Sequence, residues 1–168
     1  MVNKVGTAGP NTLRGTNGYD ELDGLGGNDT LYVLNGNDEL DGDGGNDRLF
    51  GGFGNDDLDG GAGADSLYGG AGRDWLEGDA GNDWLAGGGG ADVFEFDRND
   101  GRDVISDFQN GLDKIELDDF SRAQVQNLIK NSKMVDGDLV LTLSAGNTVT
   151  LEGMTKAQLD ISHFLFDS

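Results

Sequence analysis

The sequence predicts a repeat fold, and three regularities over residues 6–95 lead to that prediction. From Gly6 to Glu95 the chain divides into ten consecutive nonapeptides without an insertion. The fourth position is Gly in all ten repeats, the sixth is Asp in nine, and the eighth is Leu in nine. A fixed period is typical of solenoids, in which each repeat is one structural unit that stacks on its neighbours. We therefore expect an ordered repeat domain and not a flexible Gly/Asp-rich linker.

Composition excludes several functional classes. Among 168 residues, 32 are Asp or Glu and 11 are Lys or Arg, and the net charge of −21 argues against nucleic acid or an anionic membrane as a partner. The absence of cysteine excludes disulfides and thiolate zinc sites. A single histidine, His163, leaves little for acid–base catalysis. No apolar segment approaches the roughly 18 residues of a membrane helix, and residues 1–15 lack the apolar run of a signal peptide.

The repeat pattern resembles a known calcium-binding family. The nonapeptide Gly60-Gly61-Ala62-Gly63-Ala64-Asp65-Ser66-Leu67-Tyr68 has the arrangement of the RTX (repeats-in-toxin, hemolysin-type) repeat. This resemblance implies an all-β fold, a right-handed parallel β-roll with a six-residue turn and a three-residue strand per nonapeptide. Two nonapeptides would form one coil of 18 residues, so that turn n stacks on turn n+2. Each Ca²⁺ would lie between stacked turns, bound by two sixth-position carboxylates and by alternate carbonyls of positions one to four.

The resemblance also implies which residues of this chain bind the metal. The sixth-position side chains are Asn11, Asp20, Asp29, Asp38, Asp47, Asp56, Asp65, Asp74, Asp83 and Asp92. The carbonyl ligands are expected among Gly42, Gly44, Gly45, Gly51, Gly52, Phe53, Gly54, Gly60, Gly61, Ala62, Gly63, Gly69, Gly70, Ala71 and Gly72. Ten turns allow eight stacked pairs. The pair of Asn11 with Asp29 lacks one charge and contains Pro10, so we expect it to be the weakest site and expect about seven or eight Ca²⁺ in all.

Elementary chemistry is consistent with this arrangement. Ca²⁺ takes six to eight oxygen ligands, and a turn that directs its carbonyls at one ion needs backbone angles that Gly adopts at the least cost. The eighth-position Leu side chains should point inward, one for each short strand. Without a cation the closely spaced carboxylates repel one another, so we expect the roll to fold when it binds Ca²⁺.

The two outer faces of the roll should differ, because alternate repeats would form opposite sheets. One face carries acids at positions seven and nine, such as Glu39, Asp41 and Asp57, whereas the other carries a row of Tyr32, Phe50 and Tyr68 at intervals of 18 residues. Two interpretations of this row remain open. The rings stack on sugars in a polysaccharide-binding module, or they stabilise the sheet as cross-strand neighbours.

Beyond Glu95 the composition changes, and residues 96–168 hold five of the 31 Gly. Residues 100–105 form a degenerate eleventh turn that is two residues out of register, with Asp103 as a further metal ligand. The predicted elements that follow are strands at Val104–Phe108 and Lys114–Leu117, a helix from Ser121 to about Lys130, a hairpin of Leu139–Leu143 with Thr148–Leu151, and a short helix near Thr155–Gln158. A solenoid needs a terminal cap to cover its open end.

The C-terminal segment also resembles a known module. Residues 103–108 and 111–115 are similar to the mixed β and short-helix cap of RTX secreted enzymes, such as serralysin-type proteases and the R-modules of alginate epimerases. This implies two domains, a roll at 6–95 and a capping region at 96–168. In that family the C-terminal region also carries the type I secretion signal, and Phe164-Leu165-Phe166-Asp167 is similar to such a signal.

Together these features predict a calcium-binding module of a bacterial extracellular protein, exported without an N-terminal signal peptide. Its partner would be the type I secretion machinery, and we expect a monomer. The alternative is a module that binds an extracellular polysaccharide such as alginate. Catalysis by this chain is not expected, because one histidine cannot form the His-Glu-x-x-His motif of RTX metalloproteases and no Gly-x-Ser-x-Gly motif is present.

Overall fold

A computed structural model describes residues 1–166 of the chain, which form a parallel β-solenoid with two sheets and little helix. In spatial order, the first sheet contains β1 (Asn3–Thr7), β3 (Glu21–Leu25), β5 (Glu39–Asp41), β7 (Asp57–Asp59), β9 (Trp75–Glu77), β11 (Val93–Phe96), β13 (Lys114–Leu117) and β17 (Phe164–Leu165). In the same direction, the second sheet contains β2 (Thr12–Arg14), β4 (Thr30–Tyr32), β6 (Arg48–Phe53), β8 (Ser66–Gly72), β10 (Trp84–Gly90), β12 (Arg102–Ile105), β16 (Asn147–Leu151), β15 (Asp138–Ser144) and β14 (Lys133–Val135).

The register of the strands confirms the predicted coil of two nonapeptides. Leu40 in β5 pairs with Leu58 in β7, and Leu31 in β4 pairs with Leu49 in β6, each pair in parallel and 18 residues apart. Each strand therefore lies beside the strand two repeats further on. Because the side chains of neighbouring strands stay in register, every sequence position of the repeat forms a straight row along the solenoid.

The interior consists of the eighth-position side chains. From Leu22 to Phe94 these nine side chains are at most 1% exposed, whereas Leu13 in the first repeat is partly buried. The row continues past the repeats through Ile105 and Ile115, so one apolar core runs from the roll into the C-terminal segment. One large apolar side chain per strand is enough to fill the narrow space between the sheets.

The C-terminal segment adds ordinary secondary structure at the end of the solenoid. Helix α1 (Arg122–Asn131) begins after Ser121, whose backbone N–H donates to Gln124 Oε1 at 2.9 Å, which confirms the predicted helix and its capping box. The predicted hairpin is confirmed as the antiparallel pair β15 and β16. No helix in the described part of the chain is long and apolar enough to span a membrane.

Two sequence predictions for this segment are wrong in detail. The strand expected at Val104–Phe108 is β12, which ends at Ile105, because the chain then turns so that the Asp107 carboxylate reaches the N–H groups of Gly87 and Gly88. The short helix expected near Thr155–Gln158 is a turn closed by a hydrogen bond from Thr155 N–H to Gln158 Oε1 at 2.9 Å, and a 3₁₀ turn follows at Ile161–His163. Asp167, in the predicted secretion signal, lies outside the described residues.

Candidate metal centre

The sixth-position carboxylates lie in two rows, one along each edge of the roll, where the turns meet the strands. The residues of the first row, which precede strands of the first sheet, are Asp20, Asp38, Asp56, Asp74 and Asp92. The residues of the second row, which precede strands of the second sheet, are Asn11, Asp29, Asp47, Asp65, Asp83 and Asp103. Every Asp in these rows is at most 2% exposed. The structure thus brings the predicted side-chain ligands together in pairs of stacked turns.

Hydrogen bonds join each carboxylate to the turn before it in its row. Asp38 N–H donates to Asp56 Oδ1 at 2.8 Å, and Asp47 N–H donates to Asp65 Oδ1 at 2.6 Å. The same bond recurs along both rows, and Asp83 N–H donates to Asp103 Oδ1 at 3.1 Å although their spacing is 20 residues. One oxygen of each carboxylate therefore fixes the distance between neighbouring turns.

The second oxygen of these carboxylates has no partner in the protein. Oδ2 is buried without a hydrogen bond in nine residues of the rows: Asp29, Asp38, Asp47, Asp56, Asp65, Asp74, Asp83, Asp92 and Asp103. Buried polar atoms are nearly always satisfied, and an unpaired buried carboxylate oxygen is costly. A regular series of such oxygens, one for each turn, therefore fits a series of hard cations that accept oxygen ligands.

These sites do not resemble a compact cluster of acidic side chains. Among the described residues, no three His, Cys, Asp or Glu side chains form a group suited to a metal ion. Only two carboxylates of each row meet at any one stacked pair, so any further ligands would have to come from backbone carbonyls. This division of labour is the one that the repeat pattern predicts.

The turn glycines allow the backbone to approach these carboxylates. Gly54 has φ +142°, and a Cβ at this position would collide with the carbonyl oxygen of Gly36 in the stacked turn. A Cβ at Gly60 would lie 3.0 Å from Asp65 Oδ2. Glycine at the first and fourth positions is thus required by the close spacing of backbone and carboxylate, as well as by the conformation of the turn.

The predicted carbonyl ligands lie in the same turns, and some of them have a further role. The third-position carbonyls of Gly44, Phe53, Ala62 and Ala71 accept N–H groups of the preceding turn at 2.7 to 2.9 Å. Because a carbonyl oxygen has two lone pairs, one remains on each for another partner. The remaining predicted residues, Gly42, Gly45, Gly51, Gly52, Gly61, Gly63, Gly69, Gly70 and Gly72, also belong to the stacked turns.

Burial raises the pKa of the inner carboxyl groups. It raises the pKa of Asp56 and Asp65 to about 7 and that of Asp83 to about 8, against the lowering effect of the hydrogen bonds that they accept. Neighbouring carboxylates of the same row raise these values further, because like charges disfavour ionisation. A cation between the turns would remove both penalties, so the electrostatics of the rows favour metal binding near neutral pH.

The N-terminal end of each row is closed by local hydrogen bonds. Asp20 Oδ2 accepts the hydroxyl of Thr16 at 2.9 Å, and Asp20 Oδ1 accepts Val2 N–H at 2.5 Å. Although burial opposes the effect, the bonds from Thr16 and Val2 lower the pKa of Asp20. In the second row, Asn11 Oδ1 accepts Thr7 N–H at 2.5 Å. These first side chains have partners in the protein, whereas the inner carboxylates retain an unpaired oxygen.

The sequence reasoning missed two sets of residues that build this site. Asp113 continues the first row, since Asp92 N–H donates to Asp113 Oδ1 at 3.1 Å. The signal was present, because Gly111-Leu112-Asp113 has the spacing of the fourth and sixth positions. Fifth-position asparagines form a second ladder, in which Asn46 N–H donates to Asn28 Oδ1 at 3.1 Å and Arg73 N–H donates to Asn55 Oδ1 at 2.9 Å.

The aromatic row lies on the outer face of the second sheet. The rings of Tyr32 and Phe50 are 4.8 Å apart at an interplanar angle of 6°, and those of Phe50 and Tyr68 are 4.7 Å apart at 8°. The Arg14 guanidinium covers the other face of Tyr32, 4.8 Å from the ring centre. Because the ring faces are turned toward one another, they act as cross-strand neighbours. Sugar rings would need those same faces, and the geometry gives no support to the polysaccharide interpretation.

The single histidine is part of the packing. His163 is 4% exposed, its Nε2 lies 2.6 Å from Asn110 Oδ1, and its ring packs 6.0 Å from that of Phe108. Both ring nitrogens have polar neighbours in the C-terminal segment, because Nδ1 lies 3.2 Å from Asp160 N. The arrangement shows a histidine that links two parts of the chain.

Comparison with known proteins agrees with this geometry. Four copies of the RTX calcium-binding nonapeptide repeat match residues 5–40, 32–67, 59–94 and 68–105. The sequence has no match among curated proteins.

Two solved structures are similar in fold. The extracellular lipase LipA from Serratia marcescens is 18% identical, with a TM-score of 0.49 over 98% of this chain, which spans 40% of the length of the lipase chain. The AlgE6R3 subunit from the Azotobacter vinelandii mannuronan C5-epimerase is 26% identical, with a TM-score of 0.44 over 96% of this chain and 81% of that chain.

Proposed function

The chain belongs to the RTX calcium-binding nonapeptide repeat family, and on that premise we propose that it is a non-catalytic module that folds when Ca²⁺ binds along the two carboxylate rows. The ligands would be the two sixth-position side chains of each stacked pair and carbonyls of the same turns. One observation carries this proposal, namely the nine buried carboxylates of the rows whose Oδ2 has no partner. Calcium would supply the positive charge and the additional coordination that these oxygens lack.

The number of ions follows from the number of stacked pairs. Ten repeats provide four pairs in each row, eight in all, and the pair of Asn11 with Asp29 lacks one carboxylate. We therefore propose seven or eight ions within the repeats, and Asp83 with Asp103 forms one further pair of the same kind. Asp20 already has Thr16 and Val2 as partners, so the first pair of its row should also bind more weakly than the inner pairs.

Mass action then links folding to the calcium concentration. With a Kd near ~0.1 mM, which is typical of extracellular modules, each site contributes about 1.4 kcal/mol to folding at ~1 mM Ca²⁺. Eight sites contribute roughly 11 kcal/mol under the same conditions. At submicromolar calcium the contribution is close to zero. The same chain would be unfolded before export and folded outside the cell.

This dependence favours an extracellular role for the module. We propose that it belongs to a secreted bacterial protein, that it passes through a type I secretion machinery as an unfolded chain, and that it acts as a monomer. Calcium outside the cell would then drive folding from the outer side. The carboxylates of the rows would be committed to the metal, and the single buried histidine has no nucleophile beside it, which supports a role without catalysis.

A calcium titration of the intact chain tests the proposal. Far-UV circular dichroism should show a largely disordered chain in EDTA and a β-rich chain in millimolar Ca²⁺, with a cooperative transition. Equilibrium dialysis should find about eight bound ions, and Mg²⁺ at the same concentration should not replace them, because it demands a smaller octahedral site. A β-rich spectrum in EDTA, or fewer than four bound ions in the folded protein, would contradict the proposal.

A further inference from the structure

The end of the first carboxylate row lies outside the repeats. Asp113 follows Asp92 in that row at a spacing of 21 residues, and its Oδ1 accepts Asp92 N–H at 3.1 Å. The corresponding bonds between repeats measure 2.7 to 3.0 Å in the same row, as for Asp20 with Asp38 and Asp74 with Asp92. The three extra residues are therefore accommodated without loss of the stacking contact.

The pair of Asp92 and Asp113 has the features of the pairs within the repeats. Asp92 is 0% exposed and its Oδ2 has no partner, while Asp113 is 1% exposed. Asp92 Oδ2 is packed against Gly87, where a Cβ would collide with it. Gly87 N–H in turn donates to Asp107 Oδ1 at 3.0 Å, so a third carboxylate borders the same turn. An unpaired buried oxygen thus points into a turn that the C-terminal segment closes.

The loop that carries Asp113 is closed on itself. Gln109 N–H donates to Asp113 Oδ2 at 2.7 Å, and Asp113 N–H donates to the Gln109 carbonyl at 3.0 Å. The loop from Gln109 to Asp113 therefore has a fixed shape. Its orientation toward Asp92 depends on what holds it from outside.

His163 provides that external contact through Asn110. Asn110 Oδ1 can only accept a hydrogen bond, so His163 Nε2 donates to it, at 2.6 Å, and Nδ1 accepts Asp160 N–H at 3.2 Å. Next to the loop, Lys114 Nζ donates to the Ser162 carbonyl at 2.7 Å, and Ile115 in β13 pairs with Phe164 in β17. The C-terminal residues thus hold both sides of the loop against the end of the roll.

We propose that Asp92 and Asp113 form an additional cation site between the last repeat and the C-terminal segment, with His163 and Asn110 as positioning residues for the loop that carries Asp113. This inference rests on the proposed function, because it assumes that the first row binds Ca²⁺. Its consequence is that docking of β17 and occupancy of the last site support each other. The end of the chain would then contribute to calcium affinity as well as to covering the core.

Counting the bound ions in matched variants tests the site. Asp113→Asn keeps the acceptor for Asp92 N–H but removes the charge, and it should bind one Ca²⁺ fewer than the unmodified chain in equilibrium dialysis. Asp119→Asn is the control, because it makes the same change at an exposed position of the same segment. An unchanged ion count in folded Asp113→Asn would overturn the site, whereas an unmodified chain that binds no calcium would overturn the proposed function itself.

The positioning role needs a separate measurement, and it also decides the matter if Asp113→Asn does not fold. Asn110 is exposed, so Asn110→Ala removes only the bond from His163, and Leu112→Ala in the same loop is the control. Loss of one hydrogen bond should release one ion about fivefold faster in a stopped-flow chelator experiment, with the total number of ions unchanged. Release from Asn110→Ala at the rates of Leu112→Ala would refute the positioning role.

Discussion

Buried carboxylates occur both in the repeats and in the C-terminal segment, but their partners differ. In the repeats, Asp56 and Asp65 each have one oxygen bound to a backbone N–H and one oxygen with no partner. In the C-terminal segment, both oxygens of Asp107 and of Asp113 accept backbone N–H groups. The C-terminal segment satisfies its acids with its own chain, whereas the repeats leave a regular series of oxygens for an outside partner.

The apolar cores of the two regions differ in the same sense. Each repeat contributes one buried Leu, such as Leu49 or Leu58, while the C-terminal segment packs Val125, Leu141 and Val149 from a helix and two strands against one another. A narrow core with one side chain per strand provides little burial for each ordered residue, and glycine-rich turns lose much conformational entropy. The comparison teaches that the roll depends on cations and on its neighbour, and the four predictions below test that dependence.

The largest effect should follow removal of the C-terminal segment. A chain that ends at Glu95 exposes Phe94 and the edges of β10 and β11, and it deprives Asp83 and Asp92 of the stacked partners Asp103 and Asp113. We expect residues 1–95 to remain largely disordered at a calcium concentration that folds the full chain. Circular dichroism against calcium concentration measures this, with a chain lacking the first repeat as the control. Equal midpoints for residues 1–95 and the full chain would show that the roll does not need its neighbour.

The second effect concerns pH in calcium-free buffer. Asp56 and Asp65 have a pKa of about 7 and Asp83 of about 8 in the folded chain, because of burial, against about 3.9 for an unfolded Asp. Between these values the folded form binds more protons, so its stability is greatest at low pH and is lost as the pH rises toward 8. Circular dichroism should show more β-structure at pH 5 than at pH 8. A β-signal that increases with pH would be inconsistent with unpaired buried carboxylates.

A smaller effect should follow loss of one inner carboxylate. Asp56 has neighbours in its row on both sides, whereas Asn11 lies at the end of its row and has only Asp29 beside it. Asp56→Ala therefore removes a ligand from two sites and should cost about 3 kcal/mol at ~1 mM Ca²⁺. The calcium midpoint for folding, followed by Trp75 and Trp84 fluorescence, should rise clearly more for Asp56→Ala than for Asn11→Ala. Equal midpoints would mean that carboxylates are not shared between neighbouring sites.

The smallest effect should come from the aromatic row. Phe50 stacks on Tyr32 and on Tyr68, and each aromatic pair is worth about 0.5–1.5 kcal/mol. Phe50→Ala should therefore lower the free energy of unfolding in saturating calcium by about 2 kcal/mol, measured by urea titration, while the number of bound ions stays the same. Thr30→Ala on the same outer face is the control. A change in ion number would show that this face and the metal sites are not independent.

The repeat region could be predicted closely from the sequence. The nine-residue period placed Leu40 opposite Leu58 and Asp38 opposite Asp56, because a strict repeat without insertions admits only one register for stacked turns. The C-terminal segment could be predicted only in outline. Strand β12 ends at Ile105 because Asp107 turns to bind Gly87 and Gly88, which lie about twenty residues earlier in the chain. Contacts of that kind leave no local signature.

The sequence by itself therefore determined the family, the roll, the rows of carboxylates and the inward leucines. Each of these depends on interactions between equivalent positions of neighbouring repeats, and such interactions are written into the period. Only the tertiary structure decided how the rows end. Asp20 is satisfied by Thr16 and Val2, and Asp113 enters the first row through a loop that His163 holds. At the ends the repeat has no equivalent neighbour, so the partners come from unrelated segments whose positions are set by packing in three dimensions.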